Sequence, residues 1–221
     1  MYTFDSRIRY SETDETGALS LLGVINYLQD CSTFQSEDIG LGVEHLEEKK
    51  RAWLLSSWRI VIDRYPVLGE KIKIGTWATS SKGIYGYRDF VIMDQEGNYL
   101  VRAESVWFFY DTEKMIPVRV MPEDVAATEK KKALIWKSSK KDRCSKRYIE
   151  GTPVTIAAHH LDTNHHVNNA QYVDIAREAV PCTKMVKEIR ADYKKAAVLG
   201  EVLDTEGDKY RKRRVDGRTG R

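Results

Sequence analysis

The sequence is short of cysteine and of long apolar stretches, and each scarcity excludes a class of protein. Its three cysteines, Cys31, Cys144 and Cys182, are odd in number and far apart. They fit reduced thiols in a cytoplasm better than a disulfide framework, and no pair has the spacing of metal ligands. No apolar run approaches the ~18 to 20 residues that span a bilayer, and residues 1–7 lack the apolar core of a secretion signal. We therefore expect a cytoplasmic protein with no membrane span.

Neither sign of charge dominates the chain, but the two signs are unevenly distributed. The 42% hydrophobic content suffices for a packed core, and the 31% charged content is typical of a well-solvated surface. Residues 1–120 contain 14 basic and 18 acidic residues, whereas residues 121–221 contain 22 and 15. Basic runs at 130–132, 137–147 and 211–214 indicate either a solvated linker and tail or a docking surface for an acidic partner. No aromatic residues interleave with these runs as stacking platforms, so we expect no nucleic-acid partner.

The first half of the sequence contains one helical pattern among several strand patterns. From Leu19 to Ser36, apolar residues recur at helical spacing and define one broad buried face. Alternation of apolar and polar residues, or enrichment in large apolar ones, predicts strands at 4–10, 52–62, 71–79, 86–93 and 99–110. A sheet of this kind must bury one face, and the helix is the element available to cover it.

A second unit follows a charged segment at 121–147, which we interpret as a linker with a short helix near its start. Strand patterns at 146–157 and 184–193 flank a helical pattern at 167–179, and Pro181 is a plausible helix stop.

The order of strand, Asp-bearing loop and Tyr-bearing helix occurs twice along the chain. Asp14 precedes Tyr27 in the first half, and Asp162 precedes Tyr172 in the second. The spacing differs by three residues, so the repeat is degenerate. It predicts two copies of one fold.

Histidine is scarce and clustered, since four of the five histidines lie between His159 and His166. The run from Asp162 to His166 combines a carboxylate, an amide and two imidazoles just ahead of the predicted helix. Histidine has an unperturbed pKa of about 6.5, so it exchanges protons near neutrality. This run predicts a hydrolytic site that orients, polarises and deprotonates a bound group.

These residues also have structural interpretations. Asp162 and Asn164 are suited to capping a helix, and an isolated His166 would be suited to capping or packing. We interpret His165 as structural and Asp14 as a vestigial cap. Adjacent histidines rarely ligate one ion, and no carboxylate or thiolate completes a ligand set, so we expect neither a metal nor a cofactor.

Several segments, taken in order, resemble the acyl-acyl carrier protein (acyl-ACP) thioesterases of plants and bacteria. The stretches that carry the resemblance are 53–58, 62–66, 76–77, 88–90, 103–107 and 117–119 in the first half, and 161–172 in the second. The resemblance implies an α+β fold of two tandem hotdog domains, each an antiparallel sheet wrapped around a long helix. It places the N-terminal hotdog at 1–127, a basic linker at 128–145 and the C-terminal hotdog at 146–221. The tryptophans Trp53, Trp58, Trp77 and Trp107 suit either the core or the wall of an acyl pocket.

The resemblance also implies a reaction. The family hydrolyses the thioester of fatty acyl-ACP, which releases a free fatty acid and ends chain elongation. The family's catalytic residues map onto Asp162, Asn164 and His166, while the first hotdog shapes the acyl pocket. His166 would activate water, Asp162 would orient the imidazole or the water, and Asn164 would bind the carbonyl or fix the water. Whether Asp162 or His166 takes the proton stays open, as does the choice between monomer and homodimer. Acyl carrier protein is acidic and is the partner implied for the basic segments.

Two departures from the family pattern bear on mechanism and stability. Plant members have a Glu-Cys pair where this chain has Ala196 and Ala197, which argues for attack by water and against an acyl-enzyme. Residues 203–221 are polar and basic, with Val215 the lone aliphatic residue after Leu203. Such a segment buries too little apolar surface to order itself, so we expect a second hotdog that is incomplete at its C-terminus, with an unpaired sheet edge.

Three alternatives stay open at this point. One is an acyl-coenzyme A thioesterase of the broader hotdog superfamily, which shares the chemistry but not the carrier. Another is an inactive acyl-binding protein. The remote third is a basic nucleic-acid-binding protein, which predicts a steep dependence of affinity on salt.

Overall fold

The structure, a computed structural model, describes residues 1–125, 128, 130–134, 148–179 and 185–208, without the side chains of 148–150, 179 and 206–208. The basic runs at 137–147 and 211–214, the cysteines Cys144 and Cys182, and the proposed helix stop at Pro181 lie outside these residues. None of the described helices is both long enough and apolar enough to cross a bilayer.

Residues 1–125 form one long helix, one short helix and six strands, apart from 3₁₀ turns. The helices are α1 (Leu21–Asp38) and α2 (Val43–Glu48). The strands are β1 (Tyr2–Arg7), β2 (Arg51–Ile62), β3 (Lys71–Lys82), β4 (Tyr85–Met93), β5 (Tyr99–Asp111) and β6 (Ile116–Pro117). The predicted long helix and the five predicted strands are confirmed, whereas the sequence pattern did not reveal α2.

The first strand ends earlier than the pattern predicts. The prediction placed it at 4–10, but the strand stops at Arg7 and a 3₁₀ turn follows at Tyr10–Glu12. The Glu12 carboxylate accepts a hydrogen bond from the Arg9 N–H at 2.9 Å and closes this turn. The chain therefore leaves the sheet at Arg7.

Helix α1 forms because a capping residue precedes a strongly apolar face. The Ser20 hydroxyl accepts a hydrogen bond from the Gly23 N–H at 3.0 Å, which satisfies one of the helix's unpaired donors. Val24, Leu28 and Cys31 lie one turn apart and are fully buried. Burial raises the pKa of the Cys31 thiol to about 12, so Cys31 packs as a small apolar residue and is not a nucleophile.

The second half contributes one helix and five short strands to the described part of the chain, besides a 3₁₀ turn. The helix is α3 (Asn169–Ala179). The strands are β7 (Tyr148–Glu150), β8 (Val154–Thr155), β9 (Glu188–Asp192), β10 (Val202–Leu203) and β11 (Glu206–Asp208). The predicted helix and the strand at 184–193 are confirmed with shorter bounds, and the strand predicted at 146–157 is two short strands.

The expectation that residues 203–221 form no strands is wrong as far as Asp208. Strand β10 pairs with β8, and β11 pairs with β7. Backbone hydrogen bonds supply this pairing, so it does not need an apolar segment. The Gly151 N–H donates to the Thr205 carbonyl at 2.7 Å, and a Cβ on Gly151 would lie 2.2 Å from the Thr205 hydroxyl. Only glycine fits this close approach.

One antiparallel sheet joins the two halves of the chain. Its strands lie in the order β1-β3-β4-β5-β2-β9, and β6 pairs with β5. Phe90 and Ile92 of β4 point to the face covered by α1, while Val91 and Met93 form a smaller cluster with Trp77 on the other face. Among the described strands, β9 is an edge strand, so its outer side has no strand neighbour there.

Strands β2 and β9 pair around a local two-fold centre. Ser57 lies opposite Asp192, Arg59 opposite Arg190, and Val61 opposite Glu188. The two arginines both donate to the Glu188 carboxylate at 3.0 Å, one from each half. Arg59 of the first half and Arg190 of the second half therefore occupy matching positions at the centre of this pairing.

A matching pair of turns confirms the internal repeat. Residues 66–70 read Pro-Val-Leu-Gly-Glu, and residues 197–201 read Ala-Val-Leu-Gly-Glu. In each turn the valine N–H donates to the glutamate carboxylate at 3.0 Å. The glycine N–H donates at 2.9 Å to Ile8 in the first copy and to Ile156 in the second. The chain thus contains two copies of one fold, although the domain boundaries at 127 and 145 stay predictions.

A buried carboxylate fastens residues 130–134 to the outer face of the sheet. Asp89 is 3% exposed, and its carboxylate accepts the Leu134 N–H at 2.6 Å. Nearby, the Trp77 indole donates to the Lys132 carbonyl at 3.2 Å. Burial raises the pKa of Asp89 to about 6, with the Leu134 N–H opposing the rise. Ionised Asp89 is therefore less favoured in the folded protein than in the unfolded chain.

This pKa predicts a pH-dependent effect of Asp89→Asn. Because the folded pKa lies above the unfolded value of 3.8, Asp89 lowers stability as pH rises through the interval between them. Asparagine has the same shape, still accepts the Leu134 N–H and carries no charge. We expect the unfolding free energy of the variant, relative to the parent, to increase from about pH 4 to about pH 7. Denaturant titrations at both pH values measure this, and a constant difference would contradict it.

Candidate active site

The segment from Asp162 to His166 is a closed turn built around one carboxylate. The Asp162 N–H donates to the His166 carbonyl at 2.8 Å, and the His165 N–H donates to the Asp162 carbonyl at 3.1 Å. The carboxylate of Asp162 accepts the N–H groups of Asn164 at 2.8 Å and His166 at 3.3 Å. His165 adopts a φ of 60°, in the left-handed region, so the backbone turns sharply between Asn164 and His166. Asp162 therefore fixes the backbone positions of both other predicted catalytic residues.

The same turn occurs in the first half without the amide and imidazole side chains. Asp14 accepts the N–H groups of Thr16 at 2.9 Å and Ala18 at 3.3 Å, and Gly17 has a φ of 78°. Thr16 thus takes the place of Asn164, and Ala18 takes the place of His166. Asp14 therefore holds this turn and does not cap α1, whose cap is Ser20, which corrects the expected capping role. The comparison separates the shared scaffold from the amide and imidazole that only the second copy carries.

The start of α3 is held from two sides. The Asn168 side chain caps the helix by accepting the Ala170 N–H at 2.8 Å, and its carbonyl accepts the Gln171 N–H at 2.9 Å. These two backbone donors are therefore occupied within the helix start and do not face a ligand.

The Ala196–Ala197 stretch lies beside the turn at 162–166. The Ala197 carbonyl accepts the N–H of Val167 at 3.0 Å, and the Ala197 N–H donates to the Tyr172 hydroxyl at 2.7 Å. Tyr27 has a different role, since its hydroxyl donates to Glu12 at 2.8 Å, so the two repeat tyrosines are not equivalent. With alanine at both positions, this stretch supports the turn but supplies no nucleophile.

The side chains of Asn164 and His166 are exposed and available to a ligand. Within the described residues, neither side chain makes a hydrogen bond, whereas Asp162 uses its carboxylate to hold the turn. Asn164 and its neighbour Thr163 line a cavity of about 460 Å³. The structure thus brings Asn164 to the cavity, and His166 follows two residues later in the same turn.

The cavity belongs mainly to the first copy of the fold. It lies between the C-terminal half of α1, the short helix α2 and the inner face of the sheet. Its apolar walls are formed by Ile39, Leu41, Val43, Leu46, Trp53, Trp107 and Phe109. Its volume is within the range of small-molecule sites in proteins. Trp53 and Trp107 are therefore cavity residues, while Trp58 and Trp77 are buried in the core, a division that the sequence left open.

Side-chain amides connect helix α1 of the first copy to the start of α3, next to the turn at 162–166. The Gln29 side chain on α1 donates to Asn168 at 3.3 Å and accepts from the Asn169 side chain at 3.1 Å. Asn168 is the cap of α3 and lies two residues after the turn at 162–166. The Tyr193 hydroxyl adds a hydrogen bond of 2.9 Å to the Asn169 carbonyl. Sequence reasoning missed this contact because its partners are about 140 residues apart.

We expect Gln29→Leu to weaken the placement of the catalytic turn against the cavity. Leucine keeps the size of the side chain but removes both hydrogen bonds, and a misplaced catalytic group costs rate even when the group itself is intact. The measurement is the kcat of thioester hydrolysis, with Gln29→Glu as the partner variant that retains the acceptor. Equal kcat in the parent and Gln29→Leu would make the pair irrelevant to positioning.

His159 and His160 lie together in the 3₁₀ turn that precedes the turn at 162–166. His160 accepts the Ala157 N–H at 3.0 Å through Nδ1, and the rings of His159 and His160 lie 4.1 Å apart. Partial burial lowers the pKa of His160, and the neighbouring His159 lowers it further through charge repulsion. In the part of the chain that the structure describes, no three His, Cys, Asp or Glu residues are grouped to hold a metal ion.

Two protein-family models match the sequence of this chain. The model of the acyl-ACP thioesterase N-terminal domain matches residues 1–128, and that of the C-terminal domain matches residues 146–216. The chain belongs to the acyl-ACP thioesterase family. The resemblance read from the sequence is thereby confirmed.

Curated relatives in this family come from plants. The chain is 26% identical over 220 residues to the chloroplastic dodecanoyl-[acyl-carrier-protein] hydrolase of Cinnamomum camphora, covering 90% of this chain and 56% of that protein. It is 25% identical over 217 residues to the chloroplastic palmitoyl-acyl carrier protein thioesterase of Arabidopsis thaliana, covering 90% and 52%. The chain spans about half the length of these relatives.

Solved structures confirm the fold. An acyl-ACP thioesterase from Bacteroides thetaiotaomicron superposes with a TM-score of 0.80 at 24% identity, covering 91% of this chain and 84% of that one. The 12:0-ACP thioesterase from Umbellularia californica superposes with a TM-score of 0.74 at 21% identity, covering 93% and 94%. The predicted α+β fold with two tandem hotdog copies is therefore confirmed.

Proposed function

We propose that this chain hydrolyses the thioester of fatty acyl-ACP and releases a free fatty acid. One observation carries the proposal: Asn164, from the turn at 162–166 of the second copy, lines the aromatic-walled cavity of the first copy. An acyl chain in the cavity would place its thioester carbonyl at that turn. The names of the family models and of the curated relatives support the same activity.

The geometry supports a division of roles within the turn. Asp162 is occupied with two backbone N–H groups, so its role is to position the turn. Asn164 lines the cavity and has an exposed side-chain amide, so it binds the carbonyl oxygen as negative charge develops there. His166 has an exposed imidazole, the side chain used most often as a general base, and it takes the proton from water. With alanine at 196 and 197, attack by water completes the reaction without an acyl-enzyme.

Acyl carrier protein is the proposed partner. The basic runs at 137–147 and 211–214 are candidates for binding its acidic surface, but both lie outside the described residues. A cytoplasmic location and the choice between monomer and homodimer stay predictions.

The test is release of free fatty acid from the same acyl group presented on acyl carrier protein and on coenzyme A. Faster turnover of the carrier-protein thioester supports the proposal, with the difference measured as kcat/KM. Equal or faster turnover of the coenzyme A thioester would favour the coenzyme A alternative. Binding of fatty acid by a folded chain without any turnover would identify an acyl-binding protein.

A further inference from the structure

An arginine lies in the wall of the cavity among aromatic and aliphatic side chains. Arg88 is on the inner face of β4, between Gly86 and Phe90. Its Nη1 donates to the Gln35 side chain of α1 and to the Thr76 hydroxyl at 3.2 Å. Both partners are neutral.

Arg88 differs in this respect from other arginines of the same half. Arg51 pairs with Asp111 at 2.8 Å, and Arg64 pairs with Glu70 at 2.6 Å. Within the described residues, Arg88 has no carboxylate within ion-pair distance. Arg88 is half-buried, and a cation withdrawn from water is costly unless an acceptor compensates it, so its place in a cavity wall needs an explanation.

The guanidinium retains hydrogen-bonding capacity toward the cavity. It has five N–H donors in a fixed plane, and both described bonds come from Nη1. Burial lowers the pKa of Arg88 to about 10, which leaves it protonated at neutral pH. Nε and Nη2 are therefore charged donors without a described partner.

We propose that Arg88, with Gln35 and Thr76, forms a polar subsite in the cavity for an oxygen atom carried by the acyl chain. The substrate class is an acyl chain with a hydroxyl, keto or carboxylate oxygen along or at the end of its hydrocarbon. This inference rests on the proposed use of the cavity as an acyl pocket. An oxygen acceptor supplies the compensation that the guanidinium lacks, whereas an unsubstituted chain leaves it unpaired.

The experiment measures binding rather than turnover, so it is independent of hydrolysis. The parent protein is titrated with dodecanoic acid, with hydroxy- and keto-dodecanoic acids substituted at successive carbons, and with dodecanedioic acid. Displacement of a fluorescent fatty acid reports the dissociation constants. Hydrogen bonds to charged groups predict that one oxygenated chain binds about tenfold or more tightly than dodecanoic acid. The position and type of its oxygen distinguish the hydroxyl, keto and carboxylate sources.

Two variants test the role of the guanidinium. Arg88→Met keeps a long flexible side chain without charge and is expected to abolish the preference. Arg88→Lys keeps the charge and is expected to retain part of it. Thermal unfolding checks that each variant is folded. If Arg88→Met does not fold, Gln35→Leu, which removes an acceptor of the Arg88 Nη1, is expected to weaken the preference for the oxygenated chain. An unchanged preference in folded Gln35→Leu and Arg88→Lys would then count against the subsite.

Three outcomes would overturn the proposal. One is tighter binding of dodecanoic acid than of every oxygenated chain. Another is an unchanged preference in folded Arg88→Met. The third is a variant that accepts longer unsubstituted chains without any change in oxygen preference, which would make Arg88 only a stop for chain length. Binding of fatty acids without a preference for oxygen would contradict this inference alone. No binding of any fatty acid would contradict the acyl pocket and with it the proposed function.

Discussion

Replacing His166 with alanine is expected to lower the rate of thioester hydrolysis by about 10²- to 10⁴-fold, as for loss of a general base. The imidazole is exposed and makes no hydrogen bond within the described residues. Its removal therefore takes away the proposed base but few packing contacts. We therefore expect the unfolding free energy to stay within about 0.5 kcal/mol of the parent value, as for surface substitutions. The measurement is kcat on acyl-ACP, with thermal unfolding alongside.

The first copy of the turn provides a matched control. Asn164→Ala removes the proposed carbonyl donor and should lower kcat by about 10²- to 10³-fold, as for loss of an oxyanion donor. Thr16→Ala truncates the matching position of the first turn, where the hydroxyl donates to the Asp14 carboxylate at 2.6 Å, and should leave kcat unchanged. His165→Gly gives the second turn the glycine of the first and should also retain activity.

The pattern of losses separates the roles. Full activity in His166→Ala would remove His166 as the base and leave Asp162 as the remaining titratable group of the motif. Equal losses in Thr16→Ala and Asn164→Ala would show that the variants act through the fold and not through the site.

Replacing Phe90 with alanine is expected to destabilise the protein by about 3–5 kcal/mol. Phe90 is completely buried on the inner face of β4, and its ring centroid lies 4.9 Å from that of Trp58. Its removal leaves a cavity between the sheet and α1 that rigid neighbours fill only in part. The free energy of unfolding in denaturant measures the effect.

Phe108→Ala is the matched control for this prediction. Phe108 lies on the outer face of β5, half-buried, with its ring 6.0 Å from that of Tyr110. The same truncation should cost much less there, since less apolar surface leaves the interior. Similar losses at both positions would contradict the assignment of the core to the face under α1.

Prediction from the sequence succeeded where local chemistry decides the outcome. The apolar spacing from Leu19 to Ser36 predicted α1, because a helix buries residues three and four apart whatever it packs against. The density of functional groups from Asp162 to His166 singled out a segment that the structure shows to be a turn held by hydrogen bonds within five residues. Its catalytic role stays a prediction. The degenerate repeat was visible for the same reason, since each copy of the turn needs its own aspartate.

Prediction failed where segments far apart in the chain meet. The short strand β11 was missed because its pairing with β7 depends on backbone hydrogen bonds and not on side-chain pattern. Helix α2, six residues long, carries too little periodicity to stand out from a loop. The same residue type, tryptophan, serves the cavity at Trp53 and the core at Trp58, which composition alone does not distinguish.

The sequence by itself determined the elements, the repeat, the family resemblance and the three residues proposed for catalysis, because each rests on neighbours along the chain. Only the tertiary structure decided that Asn164 of the second copy reaches the cavity of the first. It also decided that Gln29 holds the cap of α3 and that Arg88 is charged but unpaired by any carboxylate among the described residues. These relations join residues that are distant in sequence, and packing of α1 and the sheet, not local preference, sets their distances.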